Sequence, residues 1–153
     1  MKKLQLINLI VIISFLFISC ESLKTATFDQ HSYQKATEIK VMSSQLMDQA
    51  TYPYNDYEKE VTNLLSELDK IVEYEKNKPY NDISLEMWKI LSDKERNLLA
   101  GFLKRWKEQN KMSEVFVEQA KSQVIEAIDL IINYEANKSK ESKDQLMKLI
   151  NSI

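Results

Sequence analysis

Tyr57 to Val72 reads YEKEVTNLLSELDKIV. Its apolar residues, Tyr57, Val61, Leu64, Leu65, Leu68, Ile71 and Val72, recur at intervals of three and four, which places them along one side of an α-helix. The acids and lysines between them fall on the other side. Such a stripe is stable only when other elements cover it, so this one segment predicts a helix packed among helices. The composition agrees: 153 residues include one Gly and two Pro. Hairpins and phosphate-binding loops need Gly where φ is positive, so all-β and dinucleotide-binding folds are disfavoured.

The same period extends to both sides. Upstream, Ala36, Ile39, Met42, Leu46 and Ala50 predict a first helix from Tyr33 that ends by Pro53. Downstream, PYNDISLEMWKIL (79–91) predicts a short helix with Met87 and Trp88 turned inward. Ser92-Asp93-Lys94-Glu95 fits a capping box and predicts a third main helix, Ser92 to Lys111, with Leu98, Leu99, Phe102, Leu103 and Trp106 on its apolar face. A fourth opens at Ser113, with Met112 and Val117 at the spacing of a hydrophobic staple, and runs through Phe116, Ala120, Val124, Ile128 and Ile131. Ser142 with Gln145 points to a small final helix carrying Leu146, Met147, Leu149 and Ile150. The expected fold is all-α: an antiparallel bundle of about four main helices with short accessory ones, over residues 33–153.

Two internal echoes stand out. ELDKIVEYEKNK (67–78) and AIDLIINYEANK (127–138) agree at Asp69/Asp129, Ile71/Ile131, Tyr74/Tyr134, Glu75/Glu135, Asn77/Asn137 and Lys78/Lys138. Two helical hairpins of common origin would leave such a trace, and so would two amphipathic helices with similar ends. PYND occurs at 53–56 and 79–82, where Pro ends one helix and Asn or Asp suits the cap of the next.

Residues 1–19 have a different plan: Lys2 and Lys3, a stretch from Leu4 to Phe17 that is nearly all Leu, Ile, Val and Phe, then the small Ser19. This is the layout of a cleaved secretory signal, and the run is shorter than the roughly 20 apolar residues a membrane span needs. Phe17-Ile18-Ser19-Cys20 resembles the lipobox of bacterial lipoproteins, with Phe17 where that family prefers Leu. The resemblance implies cleavage before Cys20 and lipidation of Cys20, with acyl chains anchoring the protein in a membrane. Several chains, each contributing about 0.8 kcal/mol per buried CH₂, make such an anchor practically permanent. Glu21 follows where inner-membrane retention signals commonly have Asp, which favours the outer membrane. Residues 20–32 then read as the lipidated cysteine and a polar tether. Beyond the lipobox the body is similar to small helical lipoproteins of Gram-negative envelopes, a likeness of layout that implies no activity.

The expected mature chain carries nineteen basic and twenty-three acidic residues, a net charge of −4. That mild acidity offers no general attraction to nucleic acid. Cys20 cannot form a disulfide within the chain, and His31 is the lone histidine, so neither a nucleophile–imidazole pair nor a common zinc site can be assembled. Acid–base chemistry by paired carboxylates, such as Glu60 with Glu67 or Asp129 with Glu135, is possible in principle, but these acids read as solvated helix surface. The chain is therefore expected not to be an enzyme and to need no cofactor.

Two surfaces are candidates for binding. FLKRWK (102–107) lies on a helix with a local charge of +3, contributed by Lys94, Arg96, Lys104, Arg105, Lys107 and Lys111 against Asp93, Glu95 and Glu108. That face either offsets the acidic helix 56–78, with its charge of −3, or stays free for an anionic partner. Tyr52, Tyr54, Tyr57 and Tyr80 form an aromatic set that either stacks on sugars or closes an end of the bundle, and Trp106 reads as core. The functional expectation is a membrane-anchored envelope lipoprotein acting as a protein-interaction module. Glycan or lipid binding is the alternative.

Overall fold

A computed structural model describes residues 26–153. The expected signal segment, Cys20 and the first part of the tether, residues 21–25, lie outside the described residues. Within them the fold is all-α, with six helices and no strand: α1 Gln30–Asp48, α2 Glu58–Lys76, α3 Asp82–Ser92, α4 Leu99–Gln109, α5 Glu114–Asn137 and α6 Lys140–Ser152. Two 3₁₀ turns, Gln49–Thr51 and Tyr54–Asp56, connect α1 to α2. No helix among the described residues is long and apolar enough to cross a membrane.

The stripe of α2 does what its spacing predicts. Val61, Leu64, Leu68 and Ile71 are buried, while Tyr57, Leu65 and Val72 flank them half-buried. They join Ala36, Ile39 and Met47 of α1, Met87, Trp88 and Leu91 of α3, Leu99, Leu103 and Trp106 of α4, Ile128 and Ile131 of α5, and Leu146 of α6 in one continuous core. Each Leu or Ile removed from water in this way contributes about 1.5–3 kcal/mol against the chain entropy of ordering it.

Ion pairs reveal how the long helices run. Lys40 of α1 meets Asp129 of α5 at 2.5 Å, and eight residues further along α1 Asp48 meets Lys121 of α5, also at 2.5 Å. As one number rises the other falls, so α1 and α5 are antiparallel. Lys35 with Glu67 (3.1 Å) near one end and Gln49 with Tyr57 (3.0 Å) at the other make α1 and α2 antiparallel too. The molecule therefore has two ends. At one, the start of α1, the finish of α2, the start of α3 and the finish of α5 converge. At the other, the α1–α2 connection meets the α4–α5 connection through backbone bonds from Met112 N to Ala50 O (2.9 Å) and from Tyr54 N to Asn110 O (2.8 Å).

Three long and three short helices replace the expected four main ones, and the difference lies at Ser92. It ends α3, with its Oγ donating to Lys89 O (3.1 Å), and makes no capping box. Residues 93–98 form a loop, and the expected helix 92–111 shrinks to α4. The loop folds back over Gly101, where a Cβ would lie 1.7 Å from Arg96 O. The single glycine thus serves a close approach of loop backbone to helix. Ser113 does cap α5, accepting from Phe116 N (3.4 Å), with Met112 and Val117 buried beside it. The first helix begins at Gln30, capped by Asp29, so His31 and Ser32 are helical and not part of a tether. Neither PYND copy caps by side chain: Tyr57 and Asn81 precede α2 and α3 without a capping side-chain bond.

Candidate functional site

Asp29 is the seed of a polar cluster where four helix ends converge. As N-cap of α1 its Oδ1 accepts from His31 N (2.9 Å) and Ser32 N (3.4 Å), the task for which Asp is favoured at this position. Its Oδ2 accepts from Tyr74 OH (2.7 Å) and lies 3.3 Å from Lys78 Nζ. Burial would raise the Asp29 carboxyl, but the Tyr74 hydrogen bond, the Lys78 charge and the His31 N–H together outweigh it and hold it at about 2. The same hydrogen bond pushes the Tyr74 phenol up to about 12.

Behind Asp29 lie two carboxylates, Glu75 and Glu135, each with 0% of its surface exposed. Glu75 accepts from Ser32 Oγ (2.5 Å) and from Asn81 Nδ2, and Glu135 accepts from Ser84 Oγ (2.5 Å). Lys78 Nζ sits between them, 3.4 Å from Glu75 Oε2 and 3.6 Å from Glu135 Oε2, and donates to Ser32 Oγ at 2.7 Å. Lys138 Nζ forms an ion pair with Glu135 Oε2 at 2.7 Å and lies 4.4 Å over the Tyr134 ring. Burial drives the Lys138 ammonium below its ordinary value, against the pull of Glu135. Lys138 also has φ 47°, the left-handed conformation that usually favours Gly after a helix. Here the position must supply a cation, which Gly cannot.

The sequence echo at 67–78 and 127–138 has its structural counterpart in this cluster. In both copies a fully buried Glu pairs with the Lys three residues on. In both, the intervening Asn returns its amide to the carbonyl four residues back, Asn77 to Glu73 O (2.7 Å) and Asn137 to Asn133 O (3.0 Å). The copies differ at Tyr: Tyr74 is exposed and bonded to Asp29, whereas Tyr134 is buried.

Three acids and two lysines, interleaved with Ser32, Ser84, Asn81 and Tyr74, hold four helix ends together. Glu75 and Glu135 touch no solvent, so in this conformation neither meets a substrate. Among the described residues no group of three or more His, Cys, Asp or Glu is placed to hold a metal ion. His31 is exposed and its ring lies tilted against that of Tyr74, centroids 4.4 Å apart.

Glu135 was expected on the solvated surface and is instead buried. The surface reading describes Asp129 and Glu60, which are exposed, and Glu67 lies half-buried between Lys35 and Lys70. The signal that finds the buried pair is register: Glu75 follows Ile71 by four and Glu135 follows Ile131 by four, so each continues an apolar stripe.

The residues predicted to bind are not brought together as one surface. Tyr52, Tyr54 and Tyr57 gather around Trp106 at the far end: Trp106 Nε1 donates to Tyr52 O (3.0 Å), and the Tyr54 and Tyr57 rings lie 5.6 Å and 5.7 Å from it. Tyr54 and Trp106 are buried and close that end of the core. Tyr80 sits beyond the other end of α2, a helix about 28 Å long at 1.5 Å per residue. The basic residues are exposed or half-exposed and engaged nearby: Arg96 with Asp93 (3.9 Å), Lys104 with Glu95 (2.7 Å), Arg105 over the Phe116 ring (5.1 Å) and Lys107 with Glu58 (3.3 Å). Between α1 and α2 runs a groove of about 370 Å³, with Met42, Leu46, Tyr57 and Leu64 along its floor and Gln45, Gln49, Glu60 and Asn63 at its rim. Compared with protein-family models, curated proteins and solved structures, the chain matches none.

Proposed function

We propose that this chain is a bacterial envelope lipoprotein, anchored through acyl groups on Cys20, whose helical body is a non-enzymatic protein-interaction module. The groove between α1 and α2 carries the interaction reading. Its apolar floor and amide rim suit the apolar face of an amphipathic segment from another envelope protein, since such helices lay a few anchor side chains into a groove of this kind. The buried cluster supports a non-enzymatic role, because its carboxylates are engaged by lysines of the same chain. Placement at the outer membrane follows from the lipobox resemblance and Glu21.

Crosslinking in intact cells with mass spectrometry tests this on the native protein, Cys20→Ser and Met42→Lys. One dominant protein adduct from the native chain, lost without the anchor cysteine and weakened by a charge in the groove, is the expected result. No adduct from the native chain overturns the interaction module. Identical adducts and solubility from native and Cys20→Ser overturn the anchor.

A further inference from the structure

The polar cluster's outer surface is aromatic. Phe28, 56% exposed, and Tyr80, 55% exposed, flank a cleft of about 600 Å³ into which Asp29 and Lys78 also reach. Tyr33 adds its ring 6.3 Å from Phe28, and Tyr74 is exposed beside His31. Tyr80 has φ 57°, a left-handed backbone that glycine takes at lower cost, and this turn carries a large amphipathic ring on its outside. Of the lysines at this end, Lys78 and Lys138 are held inward by Glu75 and Glu135, while Lys76 and Lys140 stand exposed. Aromatic rings with a polar edge, together with lysines, are the side chains that settle at the headgroup level of a bilayer.

Chain length says what lies against this face. Ala26 is fixed to it, its N–H donating to Tyr80 O at 3.0 Å, and stands six residues after Cys20. Six residues span at most about 20 Å when fully extended, so an acyl anchor on Cys20 keeps this end within that distance of the lipid. The far end, with Tyr52, lies the length of α5 away, about 36 Å for its 24 residues.

The geometry points to a membrane-docking face: Phe28, Tyr33 and Tyr80 enter the headgroup layer of the bilayer that holds the anchor, and the helices stand upright on it. This rests on the lipid-anchor reading. It leaves the groove between α1 and α2 facing sideways, open to a neighbouring protein.

The test uses the full, natively processed chain in vesicles of phosphatidylethanolamine and phosphatidylglycerol, part of it brominated. Trp is introduced as Phe28→Trp or, at the far end, as Tyr52→Trp, a site of equal exposure at 56%. Trp88 and Trp106 are buried in the native chain, whose own quenching in the same vesicles is recorded as the background. Bromine should quench the added emission at position 28 at least about twofold more than at position 52, as for a ring at the interface. Equal quenching overturns the docking face. Flotation of the native chain and Cys20→Ser with the same vesicles separates the two ideas. If the native chain alone floats while both reporters are quenched equally, the anchor stands and the docking face fails. If the native chain does not float, the anchor fails and the docking face with it.

Discussion

Lys78→Met keeps the length and most of the volume of the side chain and removes only the ammonium. In the native cluster Asp29, Glu75 and Glu135 face Lys78 and Lys138, an excess of one negative charge. The substitution raises that excess to two and takes from Glu75, fully buried, its nearest cation, 3.4 Å away. Breaking a buried pair by removing one partner costs about 3–5 kcal/mol, because the remaining charge is left uncompensated. With a urea dependence of about 2 kcal/mol per molar, the unfolding midpoint should fall by roughly 1.5–2.5 M. Glu75→Gln moves the balance the other way, to neutrality. Its new amide N–H₂ would face Asn81, whose Oδ1 has no hydrogen-bond partner among the described residues and can turn to accept from it. That variant should cost about 1 kcal/mol, the scale of an ordinary hydrogen bond. Urea unfolding of both, followed by circular dichroism, decides the matter. If Glu75→Gln costs as much as Lys78→Met, or Lys78→Met costs less than about 1 kcal/mol, charge balance is not what the cluster provides.

Asp29 makes stability depend on acid. Its carboxyl is held at about 2 in the fold against an ordinary 3.8, so its contribution of about 2 kcal/mol is present above the ordinary value and is lost as pH falls from about 4 to 2. Asp29→Asn should flatten that part of the curve, read as the difference in urea midpoint between pH 6 and pH 2.5. Gly101→Ala should destabilise by about 1–3 kcal/mol despite alanine's better helix propensity, because its Cβ would meet Arg96 O at 1.7 Å and the loop must move; thermal unfolding checks the sign. Trp106→Ala should cost about 3–5 kcal/mol in the same assay, as expected for a fully buried ring packed against Tyr54 and Tyr57.

Period alone made α2, α3 and α5 legible, because their apolar stripes and the Ser113 cap are local signals that the core reinforces. Ser92 was misread for a physical reason. Ser-Asp-Lys-Glu satisfies a helix start, yet Ser92 also serves a helix end by bonding back to Lys89 O, and the loop that follows packs Arg96 O over Gly101, an approach that a four-residue pattern does not reveal. The start of α1 was hidden because FDQHS shows no apolar period. Its helix is secured by the Asp29 cap and by Ser32 reaching Glu75, forty-three residues away. The cluster itself was half-visible: the echo marked its residues, but an acid reads as surface until the partner that neutralises it is known. The aromatic set failed as a unit because sequence cannot tell which end of a helix a loop tyrosine occupies.

The bond from Ala26 N to Tyr80 O has a mechanical consequence. Tension on the chain ahead of Ala26 enters the body through that bond and then through Asp29, Ser32 and their contacts to Tyr74, Lys78 and Glu75. The leucines of the core lie further along the line of force. Load is therefore met first by short, directional polar contacts between the start of α1 and the finish of α2, which resist small displacements stiffly, while the apolar interior remains unstretched until they part.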